Sequence, residues 1–390
     1  EEADLDAYIL YRRGKEMYER PRTIETISGA IQLYRQALSF DPNYAAAHAG
    51  LCSAHIDLYE LSGTTDELRE SESACAAALR SDSRLHMVYS ALGDLRLRTG
   101  RIDEAEDVYA KALAINAQDV QAMSGLAEVY RRSQRLAEAE DLLVTAVSSQ
   151  PGNWRLLHSL GGFHFNVGRY HEAANAYRQV VFLDPDNFQA RSNLGSALIM
   201  AGEFEEGRRV MEESLEIQPI ARTYSNLGVI YYYLGEFEKS VNMHREAVKQ
   251  AAGLALRWLN LADSLHFAGL DGEAGEAFGK ARDISESMLE VNPLDSEALV
   301  MRAWSEHMLG DSEAALASVK RGLAIDPEDP FGHYYDALIR YQAGDEEAAL
   351  ISLSTALEKG YPPGLLVAEP YLGEMRANDR FHEIIVNSIE

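Results

Sequence analysis

Two stretches of the chain copy one another: SNLGSALIMAGEFE begins at Ser192, and SNLGVIYYYLGEFE begins at Ser225, 33 residues later. A recurrence of this period constrains the fold more than any single motif, because a unit of about 20 to 50 residues cannot bury its own apolar face and has to stack on its neighbours. The glycine that closes each phrase recurs at Gly100, Gly168, Gly202, Gly235, Gly269, Gly310 and Gly344, with Gln134 in the equivalent place. Successive intervals are 34, 34, 34, 33, 34, 41 and 34 residues. A leucine and a small residue precede the closing position, as at Leu92-Gly93, Leu160-Gly161 and Leu227-Gly228, and a small residue such as Ala105, Ala173 or Ser240 follows it. Asp184-Pro185, Gln218-Pro219, Asn292-Pro293 and Asp326-Pro327 end units.

This spacing predicts two amphipathic helices joined by a tight turn. Small residues let the two backbones approach, while Leu, Tyr, Phe and Met at helical spacing supply the buried stripe. Glycine permits the left-handed conformation that ends the first helix, and proline cannot continue the second. GDLRLRTGRIDEAEDVYAKALAINAQD and GGFHFNVGRYHEAANAYRQVVFLDPDN carry the pattern in full.

On these residues the chain resembles the tetratricopeptide-repeat family over essentially its whole length. The resemblance implies an all-α, right-handed superhelical solenoid of about ten helix-turn-helix repeats, beginning near Asp4, Tyr44, His86, Val120, Trp154, Phe188, Ala221, Ala255, Ser296 and Pro330. Residues 1–362 are expected to form one elongated array and 363–390, after GYPPG, a short C-terminal cap of helices.

A formal charge of −26 sets the chain against nucleic acid, since binding to polyphosphate rests on Lys and Arg displacing counterions. No apolar run approaches the roughly 18 residues of a membrane span. The first residue is Glu1 rather than methionine, so we expect a fragment of a longer protein, with any membrane attachment through a segment outside this chain.

Three departures from the regular beat are visible. The 41-residue interval holds ARDISESMLEVNP, whose seven extra residues are two helical turns; a longer helix is expected, with Ile284, Met288 and Val291 on its apolar face. LYELSGTTDELRESESACAAALRSD predicts a longer turn in the second pair, and the first pair has extra residues around ERPRTIETISGA. Cys52 and Cys75 both face the seam of the second pair and are expected as a disulfide or as two buried thiols.

No G-x-S-x-G elbow, H-E-x-x-H pair or strand-borne glycine loop occurs, so no catalysis, metal or cofactor is expected. Binding remains. In the family the first helices line the inner surface, which places Arg155, Asn193, Arg222, Asn226, Tyr232, Tyr233, Asn260, His266 and Phe267 in a candidate groove for an extended peptide. Asn193, Asn226 and Asn260 occupy one position in three consecutive repeats, where an amide can both donate to and accept from a peptide backbone. The arginines are expected to favour an acidic residue or a carboxylate.

The N-terminal stretch DLDAYILYRRGKEMYERPRTIETISGA and the closing GYPPGLLVAEPYLGEMRANDRF resemble the repeat regions of bacterial membrane-anchored signalling proteins, which follow a winged-helix regulator, nucleotide cyclase or serine/threonine kinase domain. That resemblance implies a periplasmic, non-catalytic sensory or docking domain with a protein or peptide partner. The alternatives are a free-standing assembly scaffold that uses its convex face or its ends and, as a minor one, an enzyme.

Overall fold

The computed structural model describes residues 5–19 and 23–389, with twenty-two α-helices, two 3-10 turns and no strand among these residues. Contacts gather the chain into two compact units, 1–163 and 164–390. The first unit pairs α1 (Leu5–Tyr18) with α2 (Ile24–Phe40), α3 (Ala45–Ser62) with α4 (Asp66–Ser81), α5 (His86–Arg98) with α6 (Ile102–Ile115), and α7 (Val120–Arg132) with α8 (Leu136–Ser149). The boundary falls within α9 (Trp154–Asn166), and the second unit continues with α10 (Tyr170–Leu183). Its pairs are α11 (Phe188–Met200) with α12 (Phe204–Ile217), α13 (Ala221–Tyr233) with α14 (Phe237–Gln250), and α15 (Ala255–Phe267) with α16 (Asp271–Val291). Then come α17 (Ser296–Met308) with α18 (Ser312–Ile325) and α19 (Pro330–Gln342) with α20 (Glu346–Glu358). The chain closes with α21 (Pro363–Ala368), 3-10 turns at Pro370–Leu372 and Met375–Ala377, and α22 (Asp379–Ile389).

The first helices begin within one residue of the starts read from the repeat; Asp4, the start expected for the first of them, lies outside the described residues. The closing glycines from Gly100 to Gly344 all have φ between 74° and 94°, and Gln134 holds the same left-handed conformation at φ 59°. That conformation lets the next amide reach back over the helix end, as Arg101 N donates to Arg96 O at 2.9 Å and Arg135 N to Tyr130 O at 2.8 Å. Only at Gln134 does a side chain bear the strain, about 1 kcal/mol.

Small residues fill the seams as the spacing requires. Gly93 and Gly125 flank the fully buried ring of Tyr109, and a Cβ at either glycine would overlap that ring. Met211 and His244 take the same place over Gly195 and Gly228 in the second unit.

Two details depart from expectation. In the second pair the extra residues lengthen α3 to 18 residues, while the turn at 63–65 stays short, because no residue suited to a left-handed stop occurs before Gly63 at φ 69°. In α16, 21 residues long, the added turns bury Ala281, Ser285 and Leu289, while Ile284 and Met288 are half-buried. Val291 is 88% exposed: two residues beyond Leu289 is about 200° around the helix, away from the buried stripe. Of the extra residues expected in the first pair, Arg20, Pro21 and Arg22 lie outside the described residues; α2 then starts with a capping box between Thr23 and Thr26. Among the described residues no helix is long and apolar enough to cross a membrane.

Candidate functional site

In the second unit α11, α13, α15, α17 and α19 each contact the next first helix and so form one inner face. The chain's own C-terminal segment returns to that face. At one end Gly364 meets Gly202 backbone to backbone; a Cβ on Gly364 would stand 3.1 Å from the Gly202 Cα and 3.3 Å from the Ala201 carbonyl oxygen. Further along, the Glu369 side chain is 1% exposed and accepts from the Tyr232 hydroxyl at 2.8 Å, the Tyr334 hydroxyl at 2.6 Å and the Tyr371 amide at 3.2 Å. The Tyr371 hydroxyl donates to Asp263 at 2.9 Å, beside the Trp304 indole N–H at 3.0 Å. Its ring packs edge-on against Phe267 and Trp304 and stacks on His266.

Between this segment and the first helices lies a cavity of about 610 Å³. Its aromatic wall is Tyr232, Tyr233, Tyr334, Tyr335, Tyr361 and Phe331. Asp263, Glu297, Asp326, Asp329 and Glu369 also line it, and no Lys or Arg does. Burial pushes the Asp263 carboxyl up to about 7, against the pull of its bonds from Trp304 and Tyr371, and raises Glu369 for the same reason. Burial also holds the phenols of Tyr232, Tyr334, Tyr361 and Tyr371 well above their usual range, so they remain donors. His244, 1% exposed and brought down to about 3 by burial, is a neutral imidazole at the cavity whose Nδ1 has no hydrogen-bond partner.

The residues expected in a groove are distributed as follows. Tyr232, Tyr233 and Asn260 line the cavity. His266 and Phe267 lie against Tyr371 of the returning segment. Asn193 accepts from Arg222 at 3.2 Å, and Asn226 donates to Ser196 at 3.0 Å, so two members of the asparagine row tie adjacent repeats together. Arg155 belongs to the first unit, where it lies over Trp154 and pairs with Glu19 at 3.5 Å. The arginines expected to attract a carboxylate are thus absent from the cavity wall, whose charge is acidic.

Tyr334, Tyr335, Tyr361, Glu369 and Tyr371 were not singled out from sequence. The available signal was one glutamate inside the apolar run GLLVAEPYL, which demands buried partners if that run packs. In the first unit Cys52 and Cys75, both buried, are joined by a disulfide with Cα atoms 5.1 Å apart. Among the described residues no three His, Cys, Asp or Glu side chains are grouped so as to hold a metal ion.

Models described as tetratricopeptide repeat match residues 96–161, 155–187, 186–252 and 281–330, together more than half of the chain. No curated protein sequence matches it. Among solved structures, a tetratricopeptide repeat protein from Parabacteroides merdae is similar at a TM-score of 0.52 and 15% identity, over 68% of this chain and 98% of that one. The human IFIT1 dimer with PPP-AAAA is similar at a TM-score of 0.53 and 17% identity, over 82% of this chain and 72% of that one. At such identities the likeness is one of fold alone.

Proposed function

We propose, since the chain belongs to the tetratricopeptide-repeat family, that it is a non-catalytic protein-interaction domain whose second unit holds an extended polypeptide against its inner face. Repeats of this kind mediate protein–protein interaction, and one observation supports the finer reading. The inner face already carries a polypeptide in cis, with residues 361–371 laid across α13, α15, α17 and α19 through side-chain contacts. A face that packs one such segment has the pockets and donors to receive another beside it.

Selection of a displayed random-peptide library against the whole chain tests this reading. Enriched peptides are expected to lose affinity by about 1–3 kcal/mol for each hydrogen-bonding group removed in Asn226→Ala and Arg222→Ala. Neither change opens the core, as Arg222 is exposed and Asn226 half-buried. Unchanged affinity in both variants would contradict the groove and favour docking through second helices.

We further propose that the domain is the sensory or docking part of a bacterial signalling protein and works outside the cytoplasmic membrane. The Cys52 to Cys75 disulfide supports this placement, because such bonds persist in oxidising compartments. Intact mass of protein recovered from a periplasm, alkylated without reduction, is expected to show no added groups; two alkylated thiols would contradict the placement.

A further inference from the structure

We propose that the cavity between the inner face and the C-terminal segment binds a small organic cation, an ammonium group carried on an apolar body. This goes beyond the peptide reading and does not rest on it. At about 610 Å³ the cavity falls within the usual range of small-molecule sites, roughly 300–1,000 Å³. Its wall combines the two features that recognise such a cation. Aromatic faces attract positive charge through their quadrupole, and Tyr232, Tyr233, Tyr334, Tyr335, Tyr361 and Phe331 all border the space. Carboxylates supply the counter-charge: Glu297, Asp326 and Asp329 line the space with no Lys or Arg among the lining residues, and Asp263, at about 7, is ionised in part at neutral pH.

The internal hydrogen bonds leave specific atoms for a ligand. Both bonds to Asp263 fall on Oδ1, from Trp304 and Tyr371, and Oδ2 accepts none. Asn260 borders the cavity with its side-chain amide unused. Glu369, in contrast, is committed to Tyr232, Tyr334 and the Tyr371 amide, so it fixes the wall rather than waiting for a partner. Glu297 and Asp326 are exposed and mark the open side, where they raise the local concentration of cations. The aromatic wall and the volume of the space suit an organic ion.

The test compares probes of one shape and three charges on the whole chain by titration calorimetry: choline, the neutral 3,3-dimethylbutan-1-ol and the anionic 3,3-dimethylbutanoate, with benzyltrimethylammonium as a larger cation. Saturable binding of a cation is expected, about tenfold or more tighter than the neutral alcohol, with no binding of the anion. Asp263→Asn, whose amide oxygen can still accept from Trp304 and Tyr371, is expected to weaken cation binding about tenfold while the helical content and a cooperative unfolding transition are kept. Tyr335→Leu is expected to weaken it by a similar factor. Equal binding of choline and its neutral isostere, or no saturable binding of either cation up to about 10 mM, would overturn the proposal. Because the same head group occurs on lysine, n-butylamine is set against N-acetyl-lysine methylamide. Equal or better binding of the free amine supports a small-molecule ligand, and a strong preference for the lysine derivative would overturn it.

Discussion

Asp94 and Asp263 occupy the same position of the repeat, each following a leucine and a small residue, and each is pushed up to about 7 by burial. Their surroundings differ. In the first unit both oxygens of Asp94 are closed by the repeats themselves: Tyr109 donates to one at 2.5 Å and Gln121 to the other at 2.5 Å. In the second unit Asp263 takes one donor from a repeat, Trp304, and one from the C-terminal segment, Tyr371, both on a single oxygen beside a cavity. One repeat position therefore yields an internal lock in the first unit and part of a site in the second. The difference lies in what covers the inner face.

The largest effect that would sharpen this contrast is expected from Tyr109→Ala. It empties a fully buried ring position and removes a donor from Asp94, at a cost of about 4 kcal/mol in the first unit. Hydrogen exchange reads the two units separately and should show faster exchange in α5 to α7. Reduction of the Cys52–Cys75 bridge follows. With the partners 23 positions apart in sequence, loop closure contributes about 3 kcal/mol, again to the first unit. A loss shared equally by both units in either experiment would break the comparison.

In the second unit Glu369→Ala strands the hydroxyls of Tyr232 and Tyr334, with an expected cost of about 2–3 kcal/mol. Exchange should accelerate in α13, α19 and α21 while α5 and α6 are unaffected. Glu369→Gln, which keeps an acceptor, should be milder.

A further effect concerns pH. For both aspartates the folded-state pKa of about 7 exceeds the unfolded value of about 3.9, so the folded chain retains protons that the unfolded chain releases. Each therefore lowers stability progressively as pH rises from about 4 to about 7, with no further loss above. Asp94→Asn should flatten that slope in the first unit alone, and Asp263→Asn in the second alone. Protection measured by hydrogen exchange at a series of pH values, corrected for intrinsic rate, checks the assignment; an unchanged slope in either variant contradicts it.

The helices were legible in the sequence because their stops are local. From α3 to α19 a left-handed residue such as Gly202 or Gly235 ends each first helix, and small residues such as Gly93 mark the seams. Lengths were less legible where no stop intervened, as in α3, or where phase had to be carried to the last turn, as at Val291. Asn193, Asn226 and Asn260 share one register of the repeat, yet Asn193 and Asn226 spend their side chains on the neighbouring repeat. The cavity was not legible. Its closing contact joins Tyr232 to Glu369, 137 residues apart, and no repeat period encodes a contact of that kind.

The claim that the inner face of the second unit receives a polypeptide is tested most directly by a hydrogen-exchange footprint. The whole chain is compared with and without a saturating library-selected peptide. Slower exchange is predicted in α11, α13 and α15, across Phe188–Met200, Ala221–Tyr233 and Ala255–Phe267, with α12, α14 and α16 unchanged. Protection confined to those second helices, or to the first unit, would contradict it.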